Sequence, residues 1–150
     1  MNPVRALNIH LMKVELKRVN QACHFEASSD DGTRIDLDSS AESLGEGAGV
    51  RPMQSLLMAL GACTAIDVTL IMNKQRLLIE DFHLTVEGSR EENKEPSLWE
   101  SIHIHYNLKG QLPLDKVHRA IELSMEKYCS VAETLRRAGA GITYSFEVTA

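Results

Sequence analysis

A chain of 150 residues suits one domain and is long enough to bury most of its apolar surface without disulfide or metal staples. The formal net charge is −5, with lysines and arginines scattered rather than clustered, so there is no basic stripe for a phosphate backbone and no nucleic-acid partner is expected. Three cysteines, Cys23, Cys63 and Cys129, are an odd number at long spacings, which fits a reducing compartment and excludes a Cys-x-x-Cys zinc pair.

The opening M-N-P-V-R-A-L-N-I-H lacks the positive start, apolar run and small-residue cleavage site of a secretory signal, so a cytoplasmic protein is expected. Three extended segments follow, at Met12–Val19, Ala22–Ser28 and Arg34–Asp38. The turn D-D-G-T joins the last two, and a meander is predicted. Residues 39–50, S-S-A-E-S-L-G-E-G-A-G-V, read as a flexible loop that reaches across a surface. They deliver the chain to Pro52, whose missing N–H costs nothing in the first turn of a helix.

That helix is predicted to run to about Gln75, with Lys74 and Arg76 complementing the negative end of its dipole. Between Met53 and Asn73 its sole charged residue is Asp67, a run that matches a membrane span in length. Asp at a bilayer centre costs roughly 2.5–3.5 kcal/mol, Gln54, Ser55, Thr64 and Thr69 add polarity, and no second apolar run accompanies it. A central helix wrapped by protein is therefore expected, and no membrane.

Two alternating segments come next. In Ile79–Glu87 the apolar set is Phe82, Leu84 and Val86, and in Leu98–Lys109 it is Leu98, Ile102, Ile104, Tyr106 and Leu108. The polar S-R-E-E-N-K-E-P between them is a hairpin end. His103 and His105 share the other strand face, and a hairpin would bring His83 beside them. Three imidazoles can bind zinc, but no acidic or thiol ligand accompanies them, so the polar face of a half-exposed sheet is expected rather than a metal site. Trp99 is assigned to packing at the rim, and Met53, Met58 and Met72 to filling gaps in a core or dimer interface.

A second helix starts near Pro113, carries Val117, Ala120, Ile121, Ser124 and Met125 at helical spacing, and is predicted to stop near Tyr128. Ser130-Val-Ala-Glu133 has the form of a capping box, so a third helix starts there. Arg136 and Arg137 fall in its last turn and Gly139 ends it, before a closing strand at Ile142–Val148. The order is βββ-α-ββ-α-α-β, with helices segregated from antiparallel strands: one α+β domain spanning residues 1–150.

Two thiols are the candidates for chemistry, against plain packing. Cys129 precedes the capping box, at the positive end of the third helix, where the dipole and Lys127 would lower its pKa from about 8.5; the competing reading is a small apolar residue at a helix corner. Cys63 sits mid-helix with Asp67 one turn on. A carboxylate raises a thiol pKa, so on local grounds Cys63 reads as core filler.

Taken together, G-A-C-T-A-I-D-V in an apolar helix, E-K-Y-C-S-V before a later short helix, and the element order resemble the OsmC/Ohr family of osmotically inducible protein C and organic hydroperoxide resistance proteins. The resemblance covers essentially the whole chain. It implies an intertwined homodimer with long central helices between sheets and sites at the subunit interface. It further implies that Cys63 is a peroxidatic nucleophile and that Cys129 resolves its sulfenic acid into a disulfide, with no cofactor and with a dithiol as electron donor.

The place of the Glu that peroxidase members carry after a proline is taken here by Met53, followed by Gln54. The family's early-strand Arg aligns near Cys23, with Arg18 and Arg34 as displaced candidates. Glu126, one turn before Cys129, is a further candidate acid. These departures resemble a divergent OsmC-like branch, and they keep open a rival reading in which the same interfacial pocket binds a small apolar ligand without catalysis.

Overall fold

A computed structural model describes residues 11–150; the stretch read for a secretory signal lies outside the described residues. The chain divides between Pro52 and Met53 into two compact units.

The first unit is an antiparallel meander of β1 (Val14–Arg18), β2 (Phe25–Ser29) and β3 (Arg34–Leu37). Register and alternation place Val14, Leu16, Ala27 and Ile35 on one face, and Glu15, Lys17, Glu26 and Asp36 on the other. The apolar face stays open, with Leu16 56% and Ile35 51% exposed. Arg18 stands on this face opposite Phe25, whereas Arg34 lies on the polar face and pairs with Glu26 at 3.3 Å.

The segment after β3 is not the free tether that its small residues suggest. Asp38 is buried, and its carboxylate accepts backbone N–H bonds from Ser39 at 2.7 Å, Glu46 at 2.9 Å and Ala48 at 3.0 Å. These bonds, that from Ala48 foremost, hold the Asp38 carboxyl below its ordinary pKa. A bridge between Leu37 and Val50 closes the loop. One carboxylate with several acceptor sites organises a sequence that otherwise has nothing to pack.

The second unit contains α1 (Pro52–Lys74), β4 (Asp81–Arg90), β5 (Trp99–Lys109), α2 (Leu114–Leu123), α3 (Ser130–Arg137) and β6 (Gly141–Thr149). The α+β order is the expected one, but the sheet β4-β5-β6 is mixed: β4 pairs with β5 antiparallel, and β6 runs parallel to β5 from Ser101 opposite Gly141 to Lys109 opposite Thr149. The helical crossover between β5 and β6 returns the chain to the end of the sheet where β5 began, which forces the parallel pairing.

Alternation buries Ile102, Ile104, Tyr106 and Leu108 of β5, while Leu98 stays 39% exposed outside the strand. Val117, Ala120 and Ile121 of α2 and Ala132 and Leu135 of α3 join the same core. By length and mean hydropathy of 1.9, α1 would suffice to cross a membrane. In the chain it buries one stripe, Leu60, Gly61, Thr64, Val68 and Met72, and leaves Met58, Ile66 and Leu70 at 56%, 59% and 54% exposure. The expected wrapping of this helix is therefore incomplete within a single chain.

Two close approaches set the position of α1 on the sheet. At Gly61 a Cβ would stand 3.1 Å from Val86 Cγ2, so the helix lies close over β4. At the other contact, Trp99 Nε1 donates to the Met53 carbonyl at 3.2 Å, and the indole lies so near Gly88 that a Cβ there would meet Cε3 at 2.9 Å. The indole thus ties the start of α1 to the hairpin. Gly88→Ala is expected to lower the unfolding free energy by about 1–3 kcal/mol through overpacking, read as a lower urea midpoint at unchanged m.

Candidate active site

The second thiol is placed by an irregular turn. The helix expected to continue to Tyr128 is α-helical only through Leu123 and then widens into a π-helical turn over Ser124–Tyr128, closed by Cys129 N–H donating to the Ser124 carbonyl at 2.8 Å. The turn presents the Ser124 hydroxyl to α1 and sets Cys129 at the start of α3.

Cys129, not Ser130, caps that helix. Its Sγ accepts the Ala132 N–H at 3.4 Å. The capping box is not formed, because Glu133 turns toward its own helix and pairs with Arg137 at 2.8 Å and Arg136 at 3.5 Å. Those cations hold the Glu133 carboxyl below its ordinary pKa, the bond from Arg137 first.

Cys63 and Cys129, separated by most of the second unit in sequence, come together with Asp67. The two sulfurs and a carboxylate oxygen all lie within 4.8 Å of one another, with Cys129 buried and Cys63 and Asp67 half-buried. A chain of hydroxyls stands behind this cluster. Tyr106 Oη and Thr64 Oγ1 are 2.7 Å apart, Thr64 Oγ1 and Ser124 Oγ 2.9 Å, and Ser124 Oγ donates to Asp67 Oδ2 at 2.9 Å.

A hydroxyl has one proton to give, and a carboxylate accepts only. Ser124 Oγ is placed to donate to both Thr64 Oγ1 and Asp67 Oδ2 and shares its one proton between them, while the Thr64 and Tyr106 hydroxyls bond to each other with either as donor. Burial pushes the Tyr106 phenol up to about 12, consistent with a hydroxyl that keeps its proton.

The thiol electrostatics reverse the expectation from the helix dipole. Burial, the largest cause, pushes Cys129 up to about 12; the Ala132 N–H opposes this, and Cys63 and Asp67 add to it. Lys127, expected to help the thiolate, lies with Nζ 5.4 Å from the Tyr128 ring centroid. Desolvation of an anion outweighs a dipole that acts over one short helix.

Within the second unit, the sequence candidates Glu126 and Gln54 are not members of the cluster. Glu126 is exposed on the π turn and lines a cleft of about 460 Å³ beside Cys129. Gln54 is half-buried about 13 Å along α1 from Cys63, by helical rise, in an apolar cleft of about 480 Å³ with Leu57, Met58, Ala62, Leu84 and Val86. Arg18 and Cys23 belong to the first unit.

His83 faces Asn107 across the ladder, and His103 and His105 share the Ser145 hydroxyl at 2.8 and 2.7 Å, with Thr143 also on His103 at 2.8 Å. These imidazoles are tied to β6. Among the described residues the metal-competent group is instead Cys63, Asp67 and Cys129. Thr64, Ser124 and Tyr106 escaped notice as site residues, although each is a hydroxyl placed on a predicted apolar stripe, which is the signal that could have found them.

A family model described as OsmC-like protein matches residues 45–145. Protein YhfA of Escherichia coli K12 is 43% identical over 100 residues, covering 66% of this chain and 73% of that protein. A hypothetical protein of Aquifex aeolicus VF5 superposes with TM-score 0.77 at 30% identity, over 93% of this chain and 98% of that one. The organic hydroperoxide resistance protein OhrB of Bacillus subtilis has the same fold, with TM-score 0.64 at 18% identity over 91% and 98% of the two chains.

Two outcomes follow from this geometry. Ser124→Ala leaves Asp67 and Thr64 without their shared partner and is expected to cost about 1–3 kcal/mol in denaturant unfolding, while Ser124→Thr costs less. Cys129 ionises at 9.0 when unperturbed and near 12 in the fold. Below this window both states hold the proton. Within it only the folded state does, so wild-type stability falls relative to Cys129→Ala as pH rises from 9 toward 12, measured by urea unfolding at stepped pH.

Proposed function

The chain belongs to the OsmC-like protein family, and we propose that it reduces organic hydroperoxides, with Cys63 as the nucleophile and Cys129 as the resolving thiol. The observation that carries this reading is the convergence of two sulfurs and the Asp67 carboxylate within 4.8 Å. Cys63, the more accessible of the two thiols, meets the oxidant first.

In the first step Cys63 passes its proton to Asp67 and its sulfur attacks the outer oxygen of R–O–OH. The O–O bond breaks, Cys63 becomes a sulfenic acid, and the departing alkoxide takes the proton back from Asp67 to leave as the alcohol. In the second step Cys129 sulfur displaces hydroxide from the sulfenic acid, its own proton completes a water, and a disulfide forms. An external dithiol then restores both thiols by exchange and leaves as its own disulfide.

The reading includes a homodimer. It is supported by the apolar faces that α1 and the meander each leave open, since exposed patches of this kind mark interaction surfaces. Arg18, on the apolar face of the meander, is then better oriented than Arg34 to be delivered to a thiolate by a partner chain. A cytoplasmic location is part of the same reading, because reduced thiols are its resting state.

A second reading, an apolar-ligand carrier, is favoured by the raised Cys129 thiol and by the apolar cleft over Leu57, Met58 and Leu84. Peroxide consumption with a dithiol reductant separates the two. Wild type is expected to turn over cumene hydroperoxide, Cys63→Ser to lose turnover, and Cys129→Ser to give one reaction per chain and a dimedone-trapped sulfenic acid. Equal slow rates for wild type and Cys63→Ser would leave the carrier.

A further inference from the structure

The Asp67 carboxylate beside the two thiols is an obstacle to a lone thiolate and an asset to a cation. We propose that the reduced protein binds one zinc(II) ion per chain through Cys63 Sγ, Cys129 Sγ and an oxygen of Asp67. This goes beyond peroxide reduction and does not depend on it.

The donor set comes first. Zinc takes thiolate sulfur and carboxylate oxygen in a tetrahedron, with Zn–S of about 2.3 Å, which sets two sulfurs about 3.8 Å apart. Donor atoms already within 4.8 Å of one another close to that spacing by small side-chain rotations. Thiolates select against magnesium and calcium, which take oxygen ligands. Two thiolates and a carboxylate around a divalent ion leave a net single negative charge, where the same three groups without it would hold three buried or half-buried charges in repulsion.

The surrounding bonds suit ligation as well. The Ala132 N–H points at Cys129 Sγ from 3.4 Å, and such a donor stabilises a metal-bound thiolate. Ser124 holds Asp67 Oδ2 at 2.9 Å and leaves Oδ1 for the ion, so the hydroxyl chain from Tyr106 orients a ligand from behind. Access is open on the Asp67 side through a cleft of about 470 Å³ that also touches Ile71, Lys74 and Tyr128. Three protein ligands leave a fourth position for water or an exogenous group, as in zinc sites that are not purely structural.

Zinc ligation and disulfide formation exclude each other, because a disulfide sulfur no longer carries the thiolate charge that binds the metal. A hydroperoxide acting on the loaded site would take two electrons from the dithiolate and two protons from solvent, giving disulfide, alcohol, water and free zinc(II). That release step alone rests on the peroxidase reading.

The test uses reduced full-length protein in a Cys23→Ser background. Titration with cadmium(II) is expected to give a thiolate-to-metal charge-transfer band saturating at one ion per chain, and zinc(II) is expected to displace it and raise the melting temperature. Cys63→Ser and Cys129→Ser abolish the band, Asp67→Asn removes a ligand and weakens zinc competition, and Ser124→Ala weakens it by about 10–100-fold. Alkylating the thiols of the folded, unmutated site also abolishes the band, which covers the case of variants that fail to fold. Absence of the band in reduced protein, or a band that survives alkylation, overturns the site. Zinc binding by a protein inert to peroxide would leave this proposal standing and remove the peroxidase reading.

Discussion

The contact on which the second unit depends is the buried line of hydroxyls from Tyr106 through Thr64 and Ser124 to Asp67. It joins the central strand β5, the long helix α1 and the π turn, which also meet through apolar packing and, at the start of α1, through the Trp99 indole on the Met53 carbonyl. Apolar contacts tolerate sliding, whereas a buried line of hydroxyls ending on a carboxylate has one register. That register sets Ser124 against α1, and Cys129, held to the Ser124 carbonyl, arrives beside Cys63.

The same arrangement decides the electrostatic character of the thiols. The Ser124 hydroxyl donates to Asp67, whose negative charge stands next to the two sulfurs. Burial then keeps Cys129 protonated in spite of its position at a helix start. On the proposed reading such a thiol site works once positive charge is brought to it, from a partner chain or an ion. The open apolar faces of α1 and the meander make the first route structurally sensible, and the donor set makes the second so.

Much of the site was legible from residue types. Asp67 stood out as the one charge in an apolar helix, and the pair of cysteine motifs pointed to Cys63 and Cys129. What misled was locality. The Ser130 capping box failed because Glu133 has two arginines within reach on its own helix, and Cys129 took the cap with its sulfur. Cys129 was read from its dipole when desolvation is the larger effect, and desolvation depends on neighbours far along the chain. The loop at 39–50 appeared free because nothing in its composition says that Asp38 is buried beneath it.

Alternation and helical spacing by themselves determined the elements of this protein and their order, because periodicity and turn chemistry are local properties of the chain, while the two thiols stood out through the resemblance of their motifs to a family. Tertiary structure alone decided three things. The crossover made β6 parallel to β5, the widened turn after Leu123 brought Ser124 to α1, and the convergence of helix and turn made one cluster of Cys63, Asp67 and Cys129. Each of these sets the direction or proximity of groups distant in sequence, and such proximity is fixed only when the core closes and every buried hydroxyl must find its partner.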